Sequence, residues 1–578
     1  MGRPTADELT SPAAAPEARP GRPWVDLGVV AGYLVLALWV TGPLWTHPGQ
    51  ADPGANTSDP AFFEWMLVHA TRIFTHGENP FLTPALNAPL GVNVMANTGL
   101  LGLTIPLVPV TLLFGPAVAF DLMLTLGLAA TAGAWYFVLS RYLGCGRLAA
   151  AVGGGFAGFA PGMVNHTNGH PNLVAQFLVP FLVWAALSLR TVRGGVVLGL
   201  LVTWQALINE ELLFLTALAL AIFVAGYAAF RPAAVREVAR PFLTGLTVAV
   251  GVATVLLAYP VTYQFLGPQH YRGLPAFVLG YGADLASYAA YPKLSLAHGA
   301  GTLAPQPEEN TFFGGPLLLV LVVIVGWLWR RVAVRALALV GVVFAVLSLG
   351  ATVMYHGHAV ATGPWSWLDG LPLFDSVVPV RLGLVVVPVI AVLLAFSVDA
   401  GLRYRRGALW LVVLAVALLP LFPARLPVVP RPPVPAFFTG GAWRGYVSGD
   451  RAVLSADTTV WYGGITAMRW DNATRHGYRA VGGYFLGPDD TGRGGYGARS
   501  RPTAALLSGV AYNGGVPNVG PVERAQAITD VRYWRAAIVV LAPDAPHAED
   551  LHATLDALFG TGTMVADVWL WDVRALTS

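Results

Sequence analysis

The run L-L-G-L-T-I-P-L-V-P-V-T-L-L-F, Leu100 to Phe114, decides how the rest of the chain is threaded. It is apolar, but as a helix it would reach only about 22 Å at 1.5 Å per residue, against a hydrocarbon core of about 30 Å. Pro106 and Pro109 also interrupt it. If the run spans a membrane, every later arginine cluster falls on the side opposite the N-terminus. If it does not, the arginines at 141/147, 190/193, 231/236/240, 330/331/335 and 403/405/406 share a side with Arg3, Arg19 and Arg22. The positive-inside bias selects the second threading. Leu100–Phe114 then reads as a short helix lying in or dipping into the outer interface. The N-terminus is cytoplasmic, and everything beyond about residue 424 is outside.

Outward from this run, apolar stretches recur on both sides. Candidate spans are 25–45, 117–140, 147–164, 173–189, 194–208, 211–230, 241–264, 315–329, 333–350, 382–400 and 407–423, about eleven helices. Of the 578 residues 55% are hydrophobic and only 11% charged, with a mean hydropathy of +0.61. Soluble globular chains carry roughly 25% charged residues, so composition and pattern agree on a multi-pass α-helical membrane protein. Net charge is +3, and every basic residue except Lys293 is arginine. These arginines form no patch interleaved with aromatics, so nucleic acid is not an expected partner. The one cysteine, Cys145, excludes an intrachain disulfide framework and any multi-cysteine metal site.

The expected organisation is a cytoplasmic tail (1–24), a membrane domain (25–424), a Pro-rich extended linker (425–435) and an outer α/β domain (436–578). In that outer domain Ala536–Leu541 and Met564–Trp571 read as strands and His547–Phe559 as a helix. Long outer loops are expected at 46–116, 265–314 and 351–381, where chemistry concentrates. The first contains Ala61–Thr75, whose Phe62, Trp65, Met66, His69 and Ile73 recur at helical spacing, the pattern of a helix lying along the membrane surface. Gly153-Gly154-Gly155 lies inside a span, where small residues let helices pack closely.

Ionisable residues at the outer ends of spans are the candidate site. Asp59, in Ser58-Asp59-Pro60, is either a helix N-cap or a carboxylate able to take a proton from a hydroxyl, and both can hold. Glu64, about 140° away on the same helix, reads as a solvated face residue. His166 and His170 stand four apart in a polar turn with Asn165, Thr167, Asn168 and Asn172. Gly169 and Pro171 oppose a continuous helix and no third ligand accompanies the histidines, so no metal is assigned there and hydrogen bonding to a sugar or phosphate is expected. Glu210 and Glu211 follow Asn209, an expected N-cap, and two adjacent acids exceed what a cap requires. Arg381 opens a span against the charge bias, as an interfacial anchor or as a phosphate ligand. Arg272 and Lys293 are secondary candidates for that role. His356 and His358 read as exposed loop histidines.

Several short motifs together resemble the GT-C superfamily of polytopic membrane glycosyltransferases, in particular its bacterial-envelope, YfhO-like branch. They are Ser58-Asp59-Pro60, Gly77-Glu78-Asn79-Pro80-Phe81, Asn87-Ala88-Pro89-Leu90-Gly91-Val92-Asn93 and Ser140-Arg141-Tyr142-Leu143-Gly144. Gly169-His170, Glu210-Glu211, Phe313-Gly314-Gly315-Pro316 and Pro379-Val380-Arg381 follow. The resemblance implies sugar transfer from a polyprenyl-phosphate donor to an envelope glycan, lipid or protein acceptor on the outer face. It also implies a first-loop carboxylate, Asp59, as base, and interfacial helices bordering a groove for the lipid donor. Here a single acid, Asp59, stands at that motif position where many members hold an Asp-X-Asp or Asp-Asp pair, so a divalent metal gains no support. The outer domain's Trp443, Trp461, Trp470 and Tyr484 are expected in its core or on a glycan acceptor. A lipid or glycan transporter or flippase would place charges deep within spans, and a non-catalytic assembly protein would tolerate loss of Asp59.

Overall fold

A computed structural model describes residues 23–299, 303, 309, 312–404 and 407–577. The N-terminal tail up to residue 22, including Arg3, Arg19 and Arg22, lies outside the described residues, as do Arg405 and Arg406. Among the described residues, six helices are long and apolar enough to cross a membrane: Pro23–Thr46, Pro116–Arg141, Arg147–Asn168, Glu210–Phe230, Pro232–Leu266 and Pro379–Gly401. Shorter apolar helices at Pro171–Leu187, Val192–Ala206, Gly315–Trp327, Val332–Leu347 and Gly407–Leu421 fall where the remaining spans are expected.

These helices differ in what covers them. Gly383–Gly401 is buried on nearly every side, whereas Pro232–Leu266 buries little besides Gly245, Ala249 and Pro260 and exposes Val250, Val255, Leu256 and Tyr259. An apolar helix left uncovered by protein is one that lipid covers. Close packing at the centre depends on small residues. A Cβ on Gly154 would stand 2.6 Å from the Ala132 carbonyl oxygen, and one on Gly153 2.8 Å from that of Ala391. Leu100–Phe114 breaks into two short helices, Leu101–Thr104 and Val108–Phe114, around Ile105 to Leu107.

The C-terminal part contains a five-stranded sheet. In spatial order its strands are Thr563–Val565, Val568–Asp572, Ala536–Leu541, Ala452–Ser455 and Arg479–Ala480. Ala536–Leu541 is buried at every position, as its unbroken apolar run requires. It pairs in parallel with Ala452–Ser455 and antiparallel with Val568–Asp572. Helices Pro502–Asn513, Pro521–Trp534 and Ala548–Phe559 contribute Leu507, Val531 and Leu555 to the core beneath it.

This part is tied to the first outer loop. Within the linker, Val428–Pro430 pairs antiparallel with Ala51–Pro53, just ahead of the helix Ser58–His76. Arg431 then donates to Asp52 (2.8 Å) and Glu64 (2.6 Å), and Arg469 also pairs with Asp52. Glu64 is only 3% exposed, which corrects the solvated reading. The helix Ser58–His76 differs from the expected surface helix as well. Pro60 to Thr71 are all buried, because the helix Ile465–Ala473 lies against it and the Trp65 indole donates to Asp471 at 2.8 Å. Periodicity shows which residues share a helix face, but not how many faces are covered.

Candidate functional site

The first turn of Ser58–His76 presents Asp59, and a neighbour does the capping. Asn56 Oδ1 accepts from the backbone N–H groups of Ser58 (3.0 Å) and Asp59 (3.1 Å). That leaves the Asp59 carboxylate to other partners, so the N-cap reading of Asp59 is corrected. Its Oδ1 accepts from the Tyr484 hydroxyl at 2.9 Å. Its Oδ2 accepts from Asn56 Nδ2 at 2.6 Å and lies 2.9 Å from His170 Nε2. A carboxylate offers about four acceptor directions, so one is open.

The turn His166–Asn168 brings the two histidines together, with the ring Nδ1 atoms 3.3 Å apart. Gly169 makes the approach to Asp59 possible. Its φ is +127°, and a Cβ there would lie 3.0 Å from Pro60 Cδ. Glu309 closes the cluster from the second outer loop, 3.8 Å from His166 Nε2 and 3.9 Å from His170 Nε2. Arg381 grips Glu309 through Nε (3.0 Å) and Nη2 (2.6 Å) and donates through Nη1 to Glu211 (2.9 Å). Glu211 also accepts from the Val378 N–H, while Glu210 points elsewhere and accepts from Gln264 at 2.8 Å.

The electrostatics follow from this wiring. Burial opposes ionisation of Asp59, but the hydrogen bond and charge of His170, with Asn56 and Tyr484, outweigh it and hold the carboxyl below its ordinary value. Burial would likewise lower His170, yet its bond to Asp59 raises it above the ordinary imidazole value. Burial also works against ionised Glu309, and the Arg381 charge overcomes this, holding the acid well below the carboxylate range. Burial and the neighbouring Asp59 charge push the Tyr484 hydroxyl far up, so it stays a proton donor.

Two cavities border the cluster. One, of about 450 Å³, is lined by Asp59, His170, Glu309, Arg381 and aromatic residues of the C-terminal part. The other, of about 670 Å³, is lined by Glu210, Glu211, Arg272, Arg381 and by Leu207, Phe214 and Phe265 from the apolar helices. Arg381, Asn97, Asn172 and Leu274 line both. Arg272 sits exposed at the edge of the larger cavity, while its backbone N–H donates to Gly492. Lys293 is exposed and lines neither cavity, so the structure removes it from the site. His356 lies in an exposed hairpin, donating its backbone N–H to Asp284.

One ligand atom each of His166, His170 and Glu309 lie within 4.8 Å of one another, the donor set of a divalent-cation site. His166 Nε2 is buried without a hydrogen-bond partner, which fits such a role. Asp59 and Arg381 already engage His170 and Glu309, so a cation would share or displace those contacts. Sequence reasoning missed this third group. Its signal was the acid pair Glu308-Glu309 shortly before an apolar run, the same kind of pattern that drew notice to Glu210-Glu211.

No protein-family model matches the chain, and no curated protein matches it in sequence. Among solved structures it is similar to the archaeal oligosaccharyltransferase AglB from Archaeoglobus fulgidus, in complex with an inhibitory peptide and a dolichol-phosphate. That match has 11% identity and a TM-score of 0.49, and covers 90% of this chain and 69% of that one. It is also similar to ArnT from Cupriavidus metallidurans. The apo structure gives 12% identity and a TM-score of 0.47, covering 96% of this chain and 99% of that one. The undecaprenyl-phosphate-bound structure gives 11% and 0.45, with the same coverage.

Proposed function

We propose that the chain is a GT-C-type glycosyltransferase that moves a sugar from a polyprenyl-phosphate donor to an acceptor hydroxyl outside the membrane. The observation that carries this reading is the meeting of Asp59, His170, Glu309 and Arg381, from four separate segments, where two cavities adjoin. The larger cavity, walled partly by apolar helices, takes the lipid-linked donor. The smaller takes the acceptor. Asp59, ionised and with one acceptor direction open, receives the acceptor proton. Arg381 has guanidinium N–H groups beyond the three given to Glu309 and Glu211, and these balance the departing phosphate. His170 and Glu210 orient the sugars, Arg272 at the cavity edge meets the donor headgroup, and His166, fully buried and lining neither cavity, acts only through its contact with His170. With the N-terminus cytoplasmic, this chemistry faces outward.

A buried cluster of charges at the outer ends of the helices favours an interfacial enzyme over a transporter, which needs charges along a path through the spans. The test is transfer of labelled sugar from a panel of polyprenyl-phosphate sugars by membranes containing the chain. Transfer from at least one donor, above membranes lacking the chain, is expected. Failure with every donor contradicts the reading.

A further inference from the structure

Trp443, Trp461, Trp470 and Tyr484 of the C-terminal part separate into two kinds. Trp443, Trp470 and Tyr484 are buried. Trp461 and the adjacent Tyr462 are 46% and 62% exposed, on a π-helical turn, Val460–Gly464, at the wall of the smaller cavity. Turns of this kind are rare and frequently mark functional sites. The Trp461 ring lies 5.0 Å from Tyr496 and 5.3 Å from Tyr484, which themselves stack at 5.3 Å. Phe277, half exposed, reaches Tyr496 from the second outer loop at 5.8 Å. One wall of the cavity is therefore a continuous aromatic surface, joined to Asp59 through the Tyr484 hydroxyl.

The cavity also has polar lining: Asp59 and Asn172 border it, and Asn172 Oδ1 is buried with no hydrogen-bond partner. An orphaned buried acceptor costs free energy unless a donor arrives. We infer that this cavity is a pyranose subsite: one face of an acceptor sugar ring stacks on Trp461 and Tyr496, and its hydroxyls donate to Asn172 and Asp59. A pyranose has an apolar C–H face and a rim of hydroxyls, and this cavity is divided in the same way. The acceptor is thus a glycan, a conclusion that rests on the transfer reading above for its chemistry but not for its binding.

The test is saturation-transfer NMR on the full-length detergent-solubilised chain, with maltose, cellobiose and mannobiose as probes and sorbitol as the open-chain polyol control. Ring C–H protons of at least one disaccharide should receive saturation, and sorbitol should not. The exposed-site variant Trp461→Ala should weaken the signal about tenfold, and Trp461→Phe should restore part of it. An unchanged signal in Trp461→Ala, no signal from any disaccharide, or an equal signal from sorbitol would overturn the subsite. This readout needs neither donor nor turnover. Trp461-dependent binding without transfer from any donor would keep the subsite and remove the reaction. Transfer whose acceptor KM ignores Trp461→Ala would do the reverse.

Discussion

Asp59 and Glu64 stand five residues apart on one helix, and both are acids removed from bulk water, yet their surroundings differ in kind. Glu64 is closed in. Arg431 binds it with two nitrogens and reaches Asp52 with the same guanidinium, so charge and hydrogen bonds are matched. Asp59, with 18% of its side chain exposed, is held by His170, Asn56 and Tyr484 but keeps one side on a cavity. The first arrangement locks the linker and the C-terminal part onto the helix. The second keeps a carboxylate ionised where a ligand can reach it. A buried charge is thus no sign of function by itself; an incomplete coordination facing open volume is.

Substitution at the two acids should separate these roles. Asp59→Asn keeps the shape and removes the base, so transfer by the folded protein should fall by about 10²–10⁴, and loss of the ion pair with His170 should also lower the melting temperature in detergent. Arg431→Met should act through stability, since Glu64 loses its buried partner and Asp52 keeps only Arg469. Breaking such a cluster costs about 3–5 kcal/mol, which differential scanning fluorimetry would register as a large drop in Tm. A fall in activity at unchanged Tm for Arg431→Met would erase the distinction.

The acid–base behaviour sharpens the comparison. The depressed carboxyl of Asp59 contributes stability above its unfolded value, lost as pH falls through the folded value. The raised imidazole of His170 contributes fully below about pH 6.5, and that contribution is lost as pH rises through its folded value. Transfer should therefore hold on the acid side to below pH about 4 and decline somewhere above about 6.5. In His170→Asn the acid limb should move up, because burial then acts on Asp59 without its principal opponent. A pH–rate profile of the two proteins checks this. Tyr484→Phe should lower kcat about tenfold through loss of one hydrogen bond to a charged group. Lys293→Ala, outside both cavities, should leave transfer within about twofold of wild type, as expected of a surface change.

The apolar helices and the strand Ala536–Leu541 could be read directly, because membrane spans and buried strands write their burial into local composition. Met564–Trp571, expected as one strand, instead turns at Ala566 and is two antiparallel strands, Thr563–Val565 and Val568–Asp572. The grouping of Asp59, His166, His170, Glu211 and Arg381 was also legible, since each is a costly polar residue at an outer boundary. Glu64 was misread because helical spacing cannot tell that Arg431, from a distant linker, covers its face. Glu309 escaped notice in a long polar loop where acids are ordinary. Tyr484 was visible as an aromatic residue of the outer domain. Its contact with Asp59 depends on how that domain seats on the first loop, through Asn97 bound to the Leu486 backbone and the pairing of Val428–Pro430 with Ala51–Pro53.

The central claim is tested most directly by measuring sugar transfer and Tm side by side for wild type, Asp59→Asn and Glu64→Gln at matched protein level. The account predicts that Asp59→Asn loses transfer even at temperatures where it stays folded, while Glu64→Gln lowers Tm and retains transfer wherever it stays folded. Full transfer by Asp59→Asn, from a donor that wild type uses, would contradict it.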